Sequence, residues 1–169
     1  MVMTIFDLQK KYNTLNALDL DLLVALAIHK NKEFVYSHPE YKLSFFERVR
    51  LSYFVYLRMK GYSVAVIVGH KEFYGLDFFV NTKVLLPRPE TELMVEEVVG
   101  IMNNELRIKN DKIILIDVGT GSGCIPISIL KNLKEPIQTF AIDISESALR
   151  VAKKNTNIHN VNINFLYGN

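Results

Sequence analysis

A continuous apolar stretch runs directly into a glycine-rich turn: Ile113 to Val118 is followed by Gly119-Thr120-Gly121-Ser122-Gly123 and a helical pattern from Cys124 to Leu133. The stretch reads as a strand buried on both faces, the signature of a parallel sheet. Further strands are expected at Thr139–Ile142 and Ile163–Leu166, with a helix over Glu146–Asn155 between them. Strands alternating with helices predict an α/β fold with parallel strands. In such a sheet the crevice beyond the carboxyl ends of the strands is where ligands bind, and the glycines fall there. Lacking Cβ atoms, they let the backbone turn sharply and approach a ligand.

The first 61 residues carry a different period. Leu18, Leu22, Leu23, Leu26 and Ala27 recur at helical spacing behind a cap at Asn16 or Asp19. Ser44-Phe45-Phe46-Glu47 is a capping box opening a helix that would turn Phe46, Val49, Tyr53, Phe54 and Leu57 inward and stop at Gly61. Shorter helices are expected over Thr4–Tyr12 and Lys32–Ser37. Val64–Val68 is a β-branched run, and Leu76–Val80 with Lys83–Leu86 suggest a hairpin turning at Asn81-Thr82. Pro87 and Pro89 end the extended pattern, and a helix follows from about Thr91 to Asn104. The expected organisation is a helical bundle over 1–72, a hairpin connector over 73–86 and an α/β domain over 87–169.

Composition excludes several classes. Cys124 has no partner for a disulfide, and His29, His38, His70 and His159 lack metal-ligand spacing. No apolar run approaches the roughly 18 residues that span a bilayer, so a soluble, cytoplasmic chain is expected. Net charge is +2, with ten basic against seven acidic residues through Gly75 and ten against eleven after it. That balance argues against a dedicated nucleic-acid binder. Arg48, Arg50, Arg58 and Lys60 form one basic grouping, either a solvated helix face or a landing surface for an acidic or ribonucleoprotein-bound partner.

The loop chemistry narrows further. A nicotinamide or flavin fingerprint needs glycines at relative positions one, three and six, and position six here is Cys124. An acidic residue two before the first glycine instead suits S-adenosylmethionine, which has no phosphate but carries an ammonium and a sulfonium. Asp117 would meet the methionine ammonium, and Asp143, ending the next strand, would accept both ribose hydroxyls. The plainer alternatives are that Asp143 or Ser145 caps the helix from Glu146 and that Asp117 satisfies loop backbone groups. Cys124 reads as a small buried residue at a helix start rather than a nucleophile.

Gly69-His70-Lys71-Glu72-Phe73-Tyr74-Gly75, then Val84-Leu85-Leu86-Pro87-Arg88-Pro89-Glu90-Thr91-Glu92, then Asp117 to Cys124 follow in the order and spacing of the HemK/PrmC family, which the chain resembles over nearly its whole length. The resemblance implies a helical bundle, a hairpin connector and the first half of a class I, Rossmann-like methyltransferase sheet. It implies methyl transfer from S-adenosylmethionine to the glutamine amide of the Gly-Gly-Gln loop of class I peptide-chain release factors. It places Asp117, Gly119, Thr120, Gly121, Gly123, Asp143, Ile144 and Asn169 at the cofactor, with Arg88, Glu90 and Thr91 bordering the site.

The family's Asn-Pro-Pro-Tyr signature is not in these 169 residues. No catalytic residue is therefore assigned, and an inactive fragment is expected. The Ile113–Val118 strand would keep an open edge, making self-association a further expectation. The competing readings are a nucleic-acid adenine methyltransferase and a non-catalytic fragment that binds the release factor.

Overall fold

The computed structural model describes residues 3–104 and 113–168, and the chain divides into two compact units, Met1–Val68 and Gly69–Asn169.

The first unit is helical. α1 (Ile5–Lys11) is opened by Thr4, whose hydroxyl accepts from the Asp7 N–H while Asp7 bonds back to the Thr4 N–H. α2 (Ala17–Ile28) is capped by Asn16 and α3 (Lys32–Ser37) by Asn31. α4 (Phe45–Met59) opens with the expected Ser44–Glu47 box, reinforced by the Tyr41 hydroxyl donating to Glu47. The core joins Ile5, Leu8, Leu20, Leu23, Val24, Ala27, Ile28, Val35, Leu51 and Val55. Two expected faces are corrected. On α4 the buried residues are Leu51 and Val55, whereas Phe46, Val49 and Tyr53 face solvent, Phe46 at 76% exposure. On α2, Leu23 and Ala27 are inside as expected, but Leu18 is exposed. Apolar residues occupy more than one stripe of each helix, so spacing alone did not select the stripe that packs.

The β-branched run Val64–Val68 forms a short helix, α5. The Ser63 hydroxyl accepts from the Val66 N–H at its start, and Val64 and Ile67 pack on the bundle core. Partial burial against that core overrides the β preference of branched residues.

The second unit opens with the hairpin β1 (His70–Phe73) and β2 (Leu76–Phe79). This corrects the expected pairing of Leu76–Val80 with Lys83–Leu86. The turn is Tyr74-Gly75, both at positive φ (52° and 70°), the two-residue loop that matches strand twist. The Asn81 side chain accepts from the Lys83 N–H in a turn of its own, and the following residues form no strand. A 3-10 turn over Pro89–Thr91 leads into α6 (Glu92–Asn104).

Next come β3 (Ile114–Val118), α7 (Cys124–Asn132), β4 (Gln138–Asp143), α8 (Glu146–His159) and β5 (Asn164–Tyr167). The three strands form a parallel sheet in the order β3-β4-β5, the expected half of a Rossmann-like sheet. α8 outruns its expected end at Asn155 and stops where Asn160 adopts a left-handed conformation. One sheet face carries Leu115, Thr139, Ala141 and Phe165, packed with Val95 of α6 and Ile127 and Ile129 of α7 around Phe73 and Phe78. The other presents Ile114, Ile116 and Val118, the last two at 58% and 70% exposure. The expectation of a strand buried on both faces is therefore corrected: among the described residues no element covers that face, and β3 pairs on one side only.

Candidate functional site

The loop from Gly119 to Gly123 owes its shape to three left-handed glycines, Gly119, Gly121 and Gly123. Its start is bonded to the adjacent strand, since the Gly119 and Thr120 N–H groups both donate to the Ile142 carbonyl, at 2.8 and 3.0 Å. The Gly123 N–H donates to the Thr120 carbonyl at 2.8 Å, closing the turn. Gly123 has a second reason to lack a side chain: a Cβ there would lie 3.2 Å from Ala152 Cβ and 3.2 Å from Ile127 Cδ1. Helix α7 begins at the next residue, and Pro126 sits in its first turn, where a missing N–H costs nothing.

Asp117 and Asp143 stand at the carboxyl ends of neighbouring strands and both approach this loop. Asp143 Oδ2 accepts from the Gly121 N–H at 2.9 Å and Oδ1 from the Ser145 N–H at 2.8 Å. An ionised carboxylate offers about four acceptor positions, so each oxygen keeps capacity for a ligand hydroxyl. Of the two plainer alternatives, capping of α8 belongs to Ser145, whose hydroxyl accepts from the Ala148 N–H. Asp143 does brace loop backbone.

Asp117 is different. Its Oδ2 is buried and completes no hydrogen bond among the described residues, and neither does the buried hydroxyl of Thr120. Burial pushes the Asp117 carboxyl upward from its usual range; the neighbouring Thr120 hydroxyl pulls the other way, and the charge of Asp143 adds a smaller push. A buried acceptor without a donor is costly, and a cationic donor is what it suits chemically. An S-adenosylmethionine ammonium fits that requirement, and the bare loop beside it supplies room. Cys124 is buried with its thiol pushed upward by burial, so it is held protonated, consistent with a packing role.

The other sequence candidates are more scattered. Ile144 is exposed just beyond Asp143, as an apolar wall could be. Arg88 and Glu90 are exposed, Thr91 is half-buried, and none makes a hydrogen bond or ion pair with the loop. Asn169 lies outside the described residues. Sequence reasoning missed two polar ties: Glu92, which accepts from the Tyr74 N–H at the hairpin turn, and Asn155, wholly buried behind the loop. The signal for Asn155 was an uncharged polar residue, followed by Thr156, continuing the apolar face of Ala148, Val151 and Ala152. Of the basic grouping, Arg58 pairs with Asp19 at 2.8 Å and Arg50 contacts His29, the pattern of a braced helix face.

The chain is similar in sequence to several known proteins. A family model described as a methyltransferase domain matches residues 109–169. A protein of Koribacter versatilis named release factor glutamine methyltransferase is 36% identical over 138 residues, covering 82% of this chain and 47% of that one. Its namesake in Coxiella burnetii is 36% identical over 153 residues, covering 89% and 53%, and that of Flavobacterium psychrophilum 45% identical over 106 residues, covering 63% and 36%. A crystal structure of the Pyrococcus abyssi tRNA (uracil-54, C5)-methyltransferase with S-adenosyl-L-homocysteine aligns at TM-score 0.46 and 18% identity, covering 59% of this chain and 23% of that one. The chain spans about half the length of the curated relatives it matches. Through its loop, its Pro-Arg-Pro-Glu-Thr-Glu segment and its half sheet, the chain is similar to part of the proteins named release factor glutamine methyltransferase.

Proposed function

We propose that this chain forms the cofactor-binding part of an S-adenosylmethionine-dependent methyltransferase acting on the Gly-Gly-Gln glutamine amide of class I release factors, in the cytoplasm where those factors work. The observation that carries the cofactor assignment is the buried Asp117 Oδ2, without a hydrogen bond among the described residues, beside a loop in which every second residue is glycine. The substrate assignment rests on the names of the relatives.

Bound there, S-adenosylmethionine supplies an electrophilic methyl group on a sulfonium. Asp117 receives the ammonium, and Asp143 accepts the ribose hydroxyls while holding the Gly121 and Ser145 amides. Gly119 and Gly121 leave their backbone open to the ligand, Thr120 lines the floor, and Ile144 flanks the adenosine. Arg88, Glu90 and Thr91 border the acceptor side. The helical first unit receives the release factor. An amide nitrogen is a poor nucleophile, so holding it in line with the methyl group is where rate is gained.

The exposed Ile114, Ile116 and Val118, on a strand whose outer edge has no partner among the described residues, support one addition: a second copy pairs along β3. Calorimetric titration with S-adenosylmethionine, beside the Asp143→Ala variant, tests the cofactor reading. Asp143→Ala is expected to weaken binding at least tenfold, and equal affinities would overturn the assignment. Labelled methyl incorporation by a full-length version into release factor, with nucleic acid as the competing acceptor, tests the substrate.

A further inference from the structure

Asn155 lies on α8, one turn beyond Ala152, and its side chain is wholly removed from solvent. Its carboxamide is committed on three sides. Oδ1 accepts from the Phe79 N–H at 2.8 Å, and Nδ2 donates to the Phe79 carbonyl at 3.0 Å and to the Ser122 carbonyl at 2.8 Å. Both amide protons are therefore used, and the orientation of the group is fixed: only oxygen can face an N–H, and only nitrogen can face two carbonyls.

The Phe79 bonds have a particular meaning. In the hairpin the Val80 N–H donates to the Gly69 carbonyl, so the neighbouring pair His70–Phe79 is the wide, unbonded one of an antiparallel ladder. Phe79 thus turns both backbone groups away from β1, toward α8. The carboxamide meets them as a third strand would, satisfying the outer edge of β2. Its remaining proton reaches Ser122, in the middle of the glycine loop. Ala152 presses on Gly123 from the same helix, 3.2 Å from where a Cβ would be. One helix face therefore backs the loop at two successive residues.

We propose that Asn155 is a positioning residue for the cofactor loop: one carboxamide locks the Ser122 carbonyl and the edge of β2 to α8, so that ligand affinity depends on a side chain that cannot touch the ligand. The proposal rests on the cofactor reading above for its functional half and stands on the hydrogen bonds for its structural half. Aspartate keeps the shape and loses both donors. Ionised, it would face two carbonyl oxygens; protonated, it regains one donor. Burial raises the pKa of such a group, so recovery is expected as pH falls through that raised value.

The test uses the full 169-residue chain and three variants: Asn155→Asp, Asn155→Ala, and Asn103→Ala as a control. Asn103 bonds the Asn132 carbonyl and the Lys134 N–H, away from the loop, so its loss should lower stability without reaching the site. Calorimetric binding of S-adenosylhomocysteine and amide hydrogen exchange are measured on each. We expect Asn155→Asp to bind at least tenfold more weakly above neutral pH and to recover part of that loss on acidification. We expect Asn155→Ala to bind weakly at every pH. Both should speed exchange at Gly121 and Gly123, and Asn103→Ala should change neither readout. Affinity and loop exchange unchanged in both Asn155 variants would overturn the proposal. A wild-type chain that binds no S-adenosylhomocysteine would defeat the cofactor reading, and loop exchange would then decide the locking by itself.

Discussion

Replacing Asp117 by asparagine separates what this residue costs the fold from what it gives a ligand. Its carboxyl is pushed above the usual 3.8, chiefly by burial, so the native state holds the proton more tightly than the unfolded chain. By linkage, the group is neutral and costs nothing below 3.8, and the penalty grows as pH rises through the elevated native value. At neutral pH the partnerless oxygen carries a desolvation penalty that for a buried unsatisfied group is about 1–3 kcal/mol. The carboxylate is not fully enclosed, which places it at the lower end. Asp117→Asn removes the charge and puts a donor beside the Thr120 hydroxyl, so we expect Tm to rise at neutral pH by about 2–4 °C, the usual yield of 1 kcal/mol at this length. The gain should shrink as the medium is acidified, because the wild-type group is then neutral too. The same change should weaken S-adenosylhomocysteine by about 10- to 150-fold, the worth of a hydrogen bond between charged groups. Scanning calorimetry across a pH series, with and without ligand, reads both effects. A variant that melts lower at neutral pH and keeps its full ligand-induced shift would refute the reasoning.

Other perturbations probe the remaining elements. Gly123→Ala combines a left-handed φ of 77° with contacts at 3.2 Å, whereas Gly119→Ala has φ 78° in open space. Chemical denaturation should show a loss of about 2–4 kcal/mol for the first and about 1–2 kcal/mol for the second. The Glu47 carboxyl is buried enough to be pushed upward, but the Ser44 N–H, the Ser44 hydroxyl and the Tyr41 hydroxyl together bring it below its usual 4.5. Its support for α4 is therefore complete above 4.5 and lost as pH falls through the lowered value, and Glu47→Gln should remove that portion of the acid transition seen by circular dichroism. Ile116→Lys places a charge on the open strand without disturbing the buried face. Sedimentation velocity should show it shifting the chain toward monomer, and an already monomeric wild type would end the case for pairing along β3.

The elements whose signals are local were legible in the sequence. The caps at Asn16 and Ser44 and the strand–loop–helix at Ile114–Asn132 all lie where side chain and backbone are neighbours along the chain. What failed was anything decided by packing. Phe46, Val49 and Tyr53 make as good a helical stripe as Leu51 and Val55 do with Phe54, and only the bundle's shape chose between them. The hairpin failed for another reason. Asn81-Thr82 is ordinary turn chemistry, but Tyr74-Gly75 takes the positive φ values a two-residue loop demands, with tyrosine accepting a conformation it rarely adopts. The Glu92 carboxylate accepts from the Tyr74 N–H there, a tie of 18 residues' separation that no local pattern announces.

The candidate site divides along the same line. Asp117, its glycine loop and Asp143 were found because a parallel sheet obliges consecutive strands to end side by side, so residues 26 positions apart in sequence must converge on one crevice. Asn155 was read as the place where a helix stops. It is instead a polar residue on the buried face of a helix that continues for another turn, and its partners are 33 and 76 residues away. A buried carboxamide survives in such a place only if its bonds are complete. That gives the sequence a rule it did not use: an uncharged polar residue in phase with an apolar helical face should be treated as a fixed link between other segments. Here the linked segments are the hairpin edge and the loop that Asp117 and Asp143 flank. The costly Asp117, whose Oδ2 completes no hydrogen bond among the described residues, and the fully satisfied Asn155 are then complementary: on one side of the loop an acceptor oxygen stays free for a donor, and on the other a carboxamide ties the loop so that its shape is kept.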